Sequence, residues 1–446
     1  MSIEKWIADL PIHNELNALE INTPIQTFKL YYINTICDQA KIEKLLITPL
    51  YSIHEQVEYI QSLCVSNEVT STNELYSYLI RGKALIVCSV ADYYFFDANQ
   101  VLNDKPGDTT METTILGSQI ALSEEIKTNV NLIRHRYPSE GFRLEEFELG
   151  KVSRTKAMIL YDLHLVNPMV LAELKRKLSK IKVGMVQATG QLEKLINNKK
   201  RSLFPTMMIT ERPDRVALNL SHGKIIVILD GTPFALILPA VFYDYMSAMD
   251  DLYLQYWVSK GLILLRYIAL FIAITLPAIY ISVISFNPEF FRVQLTLSIA
   301  GSRAAVPYPS YLEVIFMLFM IEALTEASIR LPKFIGGTAT TVGGLILGQA
   351  AQQAGLVSSI MIIITAAVTI SNFVVPINAM SFSIRALRYP LIVLSSLFGL
   401  VGVIVGLFCL ICYLANLQSF GQPYLKLFID EASTSLNSTP PKGIVE

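Results

Sequence analysis

Short apolar stretches, separated by polar turns and amphipathic patterns, fill the chain up to about residue 240. Beyond Gly261 long apolar runs take over: Gly261–Phe286, Tyr311–Ile329, Ile360–Val375 and Leu391–Leu414. The first pattern predicts half-buried strands and helices of a water-soluble region; the second predicts membrane spans.

The soluble half reads as a duplication. Leu30–Ile33 is a strand candidate followed by a helical pattern, and NELYSYLIRGKALIV leads a helix through Gly82-Lys83 into a second strand. Leu160–Leu163 and PDRVALNLSHGKIIVIL repeat that order, with Gly223-Lys224 at the equivalent point. Each second strand turns into another, Tyr93–Phe96 and Phe234–Leu238, and Asp230-Gly231 carries a hairpin signal. Two related α/β subdomains follow from this. The helical stretch between them ends in Asn131–Arg136 (NLIRHR), read either as a solvated face or as a contact to acidic headgroups.

The apolar half is less uniform. Gly261–Phe286 carries one charge, Arg266, expected to snorkel to an interface that Trp257, Tyr253 and Tyr256 would mark. Arg385 and Arg388 precede the uncharged run Leu391–Leu414 and suggest a cytoplasmic start for it. Tyr311–Ile329 holds Glu313, Glu322 and Glu326. Glu322, Glu326 and Arg330 fall four apart on one face, while Glu313 lies near the opposite side. This segment is either a polar-faced helix beside an ion path, with Arg330 satisfying Glu326, or an interfacial amphipathic helix. In Gly336–Ser359, Gly344 and Gly348 have GxxxG spacing and Ala351 and Gly355 continue the small-residue pattern, a seam for close helix packing. Gln349, Gln352 and Gln353 are costly facing lipid and belong in a packed interface or a wet lumen.

The fold expected is therefore α+β: duplicated α/β soluble N-terminal subdomains followed by an α-helical multi-pass membrane domain of four to five spans. The boundaries expected are 1–140, 141–250, 251–417 and a tail, 418–446. Composition agrees with this partition. Of the 73 Asp, Glu, Lys and Arg residues only 11 lie between Gly261 and Asn416, and Phe334–Ile384 has none. A net charge of −1 gives no argument for nucleic acid. The acidic amino terminus lacks the apolar core of a signal peptide, so the soluble half is expected on the cytoplasmic side. The five cysteines form no disulfide framework. Cys409 and Cys412 sit in an apolar run that does not suit thiolate chemistry, and the scattered histidines offer no metal-ligand spacing. No phosphate loop, dinucleotide fingerprint or nucleophile elbow is present, so neither enzyme nor cofactor is expected.

Several words, in order, resemble the A subunit of the spore germinant receptors, the GerA family. They are Phe147–Thr155, Thr210–Arg215, Asp230–Phe234, Ser302-Arg303 with Val306–Pro309, Glu322–Pro332, Gly348–Ser358, Arg388–Pro390 and Ser419–Tyr424. Ala304, Ala305, Leu318, Thr325 and Ser359 depart from the family pattern, and a glycine- and arginine-rich word is missing near Gly117–Leu122. The resemblance implies a receptor complex in the spore inner membrane. There an A-type subunit works with a transporter-like B subunit and a lipoprotein C subunit, and forms a homo-oligomer around an ion pore opened by nutrient. Glu322, Glu326, Gln349, Gln352 and Gln353 are then pore-lining candidates. The other reading is a non-conducting membrane scaffold that couples a separate nutrient-binding subunit to downstream germination proteins.

Overall fold

The computed structural model describes residues 7, 16–64, 69, 72–88, 92–99, 107–197, 202–331 and 333–427. The extreme amino terminus and most of the tail lie outside them. The chain divides into two compact units, one of Met1–Thr113, Ser118–Asn198 and Ile209–Pro239, the other of Thr114–Gly117, Lys199–Met208 and Ala240–Glu446. Residues 240–250 and the start of the tail thus group with the apolar helices.

The first unit holds two sheets. In one, β1 (Leu16–Asn22), β2 (Thr27–Ile33), β3 (Lys83–Val87) and β4 (Tyr93–Asp97) form an antiparallel meander in chain order. Alternate side chains feed opposite faces, as the two-residue period of a strand requires. Leu85 and Val87 pack with Leu75 and Leu79 of α2 (Thr72–Ile80). Ala84 and Ile86 pack with Ile42, Leu46 and Leu50 and with Ile60 of α1 (Gln56–Leu63). After α3 (Ile126–Arg136), the second sheet repeats the plan: β5 (Phe142–Leu149), β6 (Thr155–Asp162), β8 (Ile225–Leu229) and β9 (Ala235–Leu238) pair in that order, with β7 (Met208–Thr210) on the edge. Helices α4 (Pro168–Ser179), α5 (Thr189–Ile196) and α6 (Pro213–Ser221) connect these strands. Every residue of β8 and β9 is buried, so both faces of this sheet are covered. Gly82 and Gly223 end α2 and α6 at φ +80° and +72°, a conformation glycine takes at little cost. The equivalence of the two Gly-Lys steps is therefore conformational as well as sequential.

The second unit is helical. The short α7 (Phe242–Met246) precedes α8 (Tyr256–Ser285), α9 (Val293–Arg303), α10 (Ser310–Arg330), α11 (Lys333–Gln353), α12 (Ser359–Val374) and α13 (Asn378–Asn416). Ser285 at the end of α8 meets Ser310 at the start of α10, so α10 runs back along α8. Gly343 and Gly344 of α11 lie against Leu324 of α10, and Asn372 near the end of α12 meets Arg388 of α13. Among the described residues two helices, α8 and α13, are long and apolar enough to cross a membrane; α12 is shorter.

α13 is not a straight rod. Gly399 has φ 59° and ψ −140°. A side chain on Gly402 would collide with the Leu394 carbonyl, and one on Gly406 would meet Leu391 and Leu394. In a continuous helix residues eight apart are separated by about 12 Å along the axis. The chain therefore folds back at Gly399 into two antiparallel limbs, and the uninterrupted helix expected over Leu391–Leu414 is corrected to a hairpin. Three glycines within GLVGVIVG make this approach sterically feasible. The second limb returns the chain to the starting end of α8, where the Tyr267 hydroxyl donates to the Leu427 carbonyl at 2.7 Å. A small hairpin of β10 (Gln418–Ser419) and β11 (Gln422–Pro423) follows, and Tyr424 beyond it is buried among Phe204, Phe242 and Tyr245.

Candidate functional site

The helical unit buries charge sparingly, and each instance is built by identifiable elements. At the start of α10, Glu313 is 1% exposed. One carboxylate oxygen accepts the Ser358 backbone N–H at 2.6 Å; the other accepts the Tyr280 hydroxyl at 3.1 Å and lies 3.5 Å from Arg303 Nε. Ser358 is the N-cap of α12, its side chain accepting from Met361 N–H at 3.2 Å. The carboxylate thus sits at the positive end of α12, a favourable place for an anion. Ser358 and Arg303 both belong to words that resemble the germinant receptors. Beside Glu313 lies a groove of about 440 Å³ walled by Tyr308, Leu312, Ile315, Phe316, Phe319 and Leu356.

A second cluster joins α10, α12 and α13. Arg385 Nη1 pairs with Glu322 at 2.9 Å, and Arg388, 2% exposed, donates to Asn372 Oδ1 at 3.0 Å. Glu326 instead pairs with Arg330 at 2.8 Å, both largely exposed. The structure thus separates two carboxylates that share a helix face: Arg330 engages Glu326, as the spacing predicts, while Glu322 has its own arginine from a distant segment.

The other singled-out residues divide. Gly344 contacts Leu324, and Ala351 is buried with Val314, Met317 and Tyr280. A side chain on Gly348 would meet nothing within 4 Å. Gly355 is not a helix-packing position: it has φ +65° in the turn after α11, where a side chain would collide with the Ala305 carbonyl. Gln349, Gln352 and Gln353 are exposed, Gln352 donating to Ser359 Oγ at 3.0 Å. Arg266 does not snorkel. It is buried, holds both oxygens of Asp251 and donates to the Met246 carbonyl at 3.0 Å, because Asp251 comes from the segment that precedes α8. Trp257 is 83% exposed at the start of α8.

Sequence reasoning set Glu313 aside and did not pick out Tyr280, Arg303 or Asn372. A usable signal was present: Ser358 immediately before an apolar run reads as an N-cap, and a carboxylate in the first turn of another apolar helix is the sort of partner such a buried helix end requires.

In the first unit the resembling words are structural. Glu211 accepts the backbone N–H groups of Thr110, Met111 and Glu112 at 2.5, 2.5 and 3.1 Å. Arg212, fully buried, grips both oxygens of Asp214 and donates to the Glu112 and Ser118 carbonyls, each at 3.0 Å. Arg215 pairs with Glu112 at 2.8 Å. Asp230 accepts from Ile126 N–H at the start of α3. Among the described residues no group of His, Cys, Asp or Glu is placed to hold a metal ion.

A mixed α/β region followed by an apolar helical bundle that buries a few paired charges defines a two-part protein. The chain belongs to the Bacillus/Clostridium GerA spore germination protein family, which it matches over residues 6–440. It is 33% identical over 404 residues to spore germination protein KA of Bacillus subtilis, covering 88% of this chain and 74% of that one. It is 34% identical over 411 residues to the membrane protein YfkQ of the same organism, covering 88% and 79%. A crystal structure of the N-terminal domain of the A subunit of the Bacillus megaterium germinant receptor GerK3 aligns with 54% of this chain and 92% of its own, at 25% identity and a TM-score of 0.39. Family membership gives this chain a role in spore germination.

Proposed function

We propose that this chain is the A-type subunit of a nutrient-responsive germinant receptor, which oligomerises in the spore inner membrane as a ligand-gated ion channel. The observation that carries the proposal is the two-sided character of α11. Its Gly343, Gly344 and Ala351 side packs within its own unit, whereas Gln349, Gln352 and Gln353 are exposed on an apolar helix that has no charge after Lys333, its first residue. Amide side chains turned to lipid forfeit their hydrogen bonds at a cost of several kcal/mol each. A neighbouring copy or a wet lumen removes that cost, and a ring of copies supplies both. In this reading the antiparallel limbs of α13, which bring the chain back to the starting end of α8, support an even number of crossings, with the tail on the side where α8 begins, taken here as the cytoplasmic side. B and C subunits are the expected partners, the nutrient being sensed mainly outside this chain.

Planar-bilayer recording from the purified complex tests the channel. Nutrient-gated current that Gln352→Leu or Glu322→Lys diminishes is the expected result. An intact assembly that carries no current would replace the channel with the non-conducting scaffold.

A further inference from the structure

Between residues 334 and 425 the only formal charges are Arg385 and Arg388, ten and seven residues into an otherwise apolar segment counted back from Ser395. Both reach the same cluster, yet the carboxylate there, Glu322, is engaged by Arg385. Glu326 is held by Arg330. Arg388 is left with a neutral partner, the Asn372 amide oxygen, and its Nε is buried without an acceptor, as is Nε of Arg385. Two guanidinium groups against one carboxylate leave an excess positive charge in a low-dielectric site. Such a charge is costly unless an anion completes it.

We propose that Arg388 and Arg385 form a binding site for a phosphate group, supplied by an anionic lipid headgroup or by free phosphate. Guanidinium is the side chain best matched to phosphate, presenting a planar fork of donors. The position fits as well. Asn372 lies near the end of α12, while Arg388 sits midway along the first limb of α13, so the phosphate would enter a basic pocket between helices, a kind of site that takes lipid headgroups. Glu322, 39% exposed on its side chain, would be the gate of the site: it competes with phosphate for Arg385. The proposal rests on the membrane reading above.

The test uses the full chain in nanodiscs of phosphatidylcholine, with and without phosphatidylglycerol, and in detergent with inorganic phosphate against chloride at equal ionic strength. Co-elution with the discs scores membrane insertion separately. Expected is a rise in melting temperature with phosphatidylglycerol, and lipid retention in native mass spectrometry that falls about tenfold in Arg388→Gln or Arg385→Gln, the loss of one charge-assisted contact. Glu322→Gln should increase retention. Response to inorganic phosphate alone would assign the site to free phosphate; response to phosphatidylglycerol alone would assign it to lipid. No response to either, or responses in both arginine variants equal to the parent chain, overturns the proposal. If Arg388→Gln does not fold, Arg388→Lys keeps the charge without the fork and should retain less lipid than the parent.

Discussion

Arg212 of the α/β unit and the Arg385–Arg388 cluster of the helical unit are buried in opposite ways. Arg266 of the helical unit is closed on Asp251 and the Met246 carbonyl, as Arg212 is closed on Asp214. In the α/β unit Arg212 satisfies its donors within one closed knot, two oxygens of Asp214 and two backbone carbonyls, while Glu211 next to it takes three backbone N–H groups. In the helical unit Arg388 has a single amide oxygen, and Arg385 shares one partly exposed carboxylate. A closed knot fixes a loop and is finished when the chain folds. An open cluster leaves electrostatic capacity for something that arrives afterwards. The difference separates positions whose mutation should destroy the fold from positions whose mutation should alter what the folded protein does.

Arg212 should show the largest effect. Arg212→Met leaves Asp214 buried beside an apolar side chain and orphans two carbonyls, so a loss of roughly 3–5 kcal/mol is expected, read as a collapse in yield or melting temperature of the full chain. A variant that melts like the parent would break the contrast at its strongest point. Glu313→Ala comes next. It removes the acceptor of the Ser358 N–H and the partner of Arg303, at about 2–3 kcal/mol, with Glu313→Gln milder because an amide oxygen can still accept that N–H.

The α/β unit also carries a titration effect. Burial pushes the Glu193 carboxyl up to about 7, with Lys194 pulling it partly back. A folded value above the unfolded one means the native state holds the proton more tightly. Stability from this group is therefore complete below about pH 4.5 and is lost as pH rises through 7, about 3 kcal/mol in all. Chemical denaturation at pH 4.5, 6 and 8 should show that slope, and Glu193→Gln should flatten it. Asp162 behaves in the opposite sense. Burial alone would raise it, but hydrogen bonds from Ser139, Tyr137 and the His164 N–H outweigh that and hold it below its usual range.

How far the sequence foretold this depended on whether a partner was local. Gly82-Lys83 and Gly223-Lys224, the Asp230-Gly231 turn and the Glu326–Arg330 pair lie within a few residues of what they contact, and periodicity exposes them. Arg266 with Asp251, Glu322 with Arg385 and Glu313 with Ser358 are separated by 15, 63 and 45 residues. No spacing rule reaches that far, and a lone arginine at the head of an apolar run reads equally well as a snorkelling one. The hairpin in α13 was hidden for another reason: hydropathy is blind to direction, and an apolar run looks the same straight or folded. Its trace was the glycine triplet Gly399, Gly402 and Gly406.

The smallest expected effect is the most diagnostic for the carboxylates of α10. Glu326 and Arg330 form an exposed i,i+4 pair, and such pairs contribute only about 0.3–0.5 kcal/mol. Glu326→Gln should leave the melting temperature of the chain within a degree or two. Glu322→Gln, by weakening the pair with half-buried Arg385, should shift it visibly. Germination assays then divide the two readings of the helix. If Glu326→Gln is silent in both stability and ion release, Glu326 is a surface residue of the assembled receptor. If it is silent in stability but slows ion release several-fold, its exposure in the single chain is exposure to a pathway, because an effect on flux without an effect on folding requires the side chain to meet the ion or the neighbouring copy that encloses it.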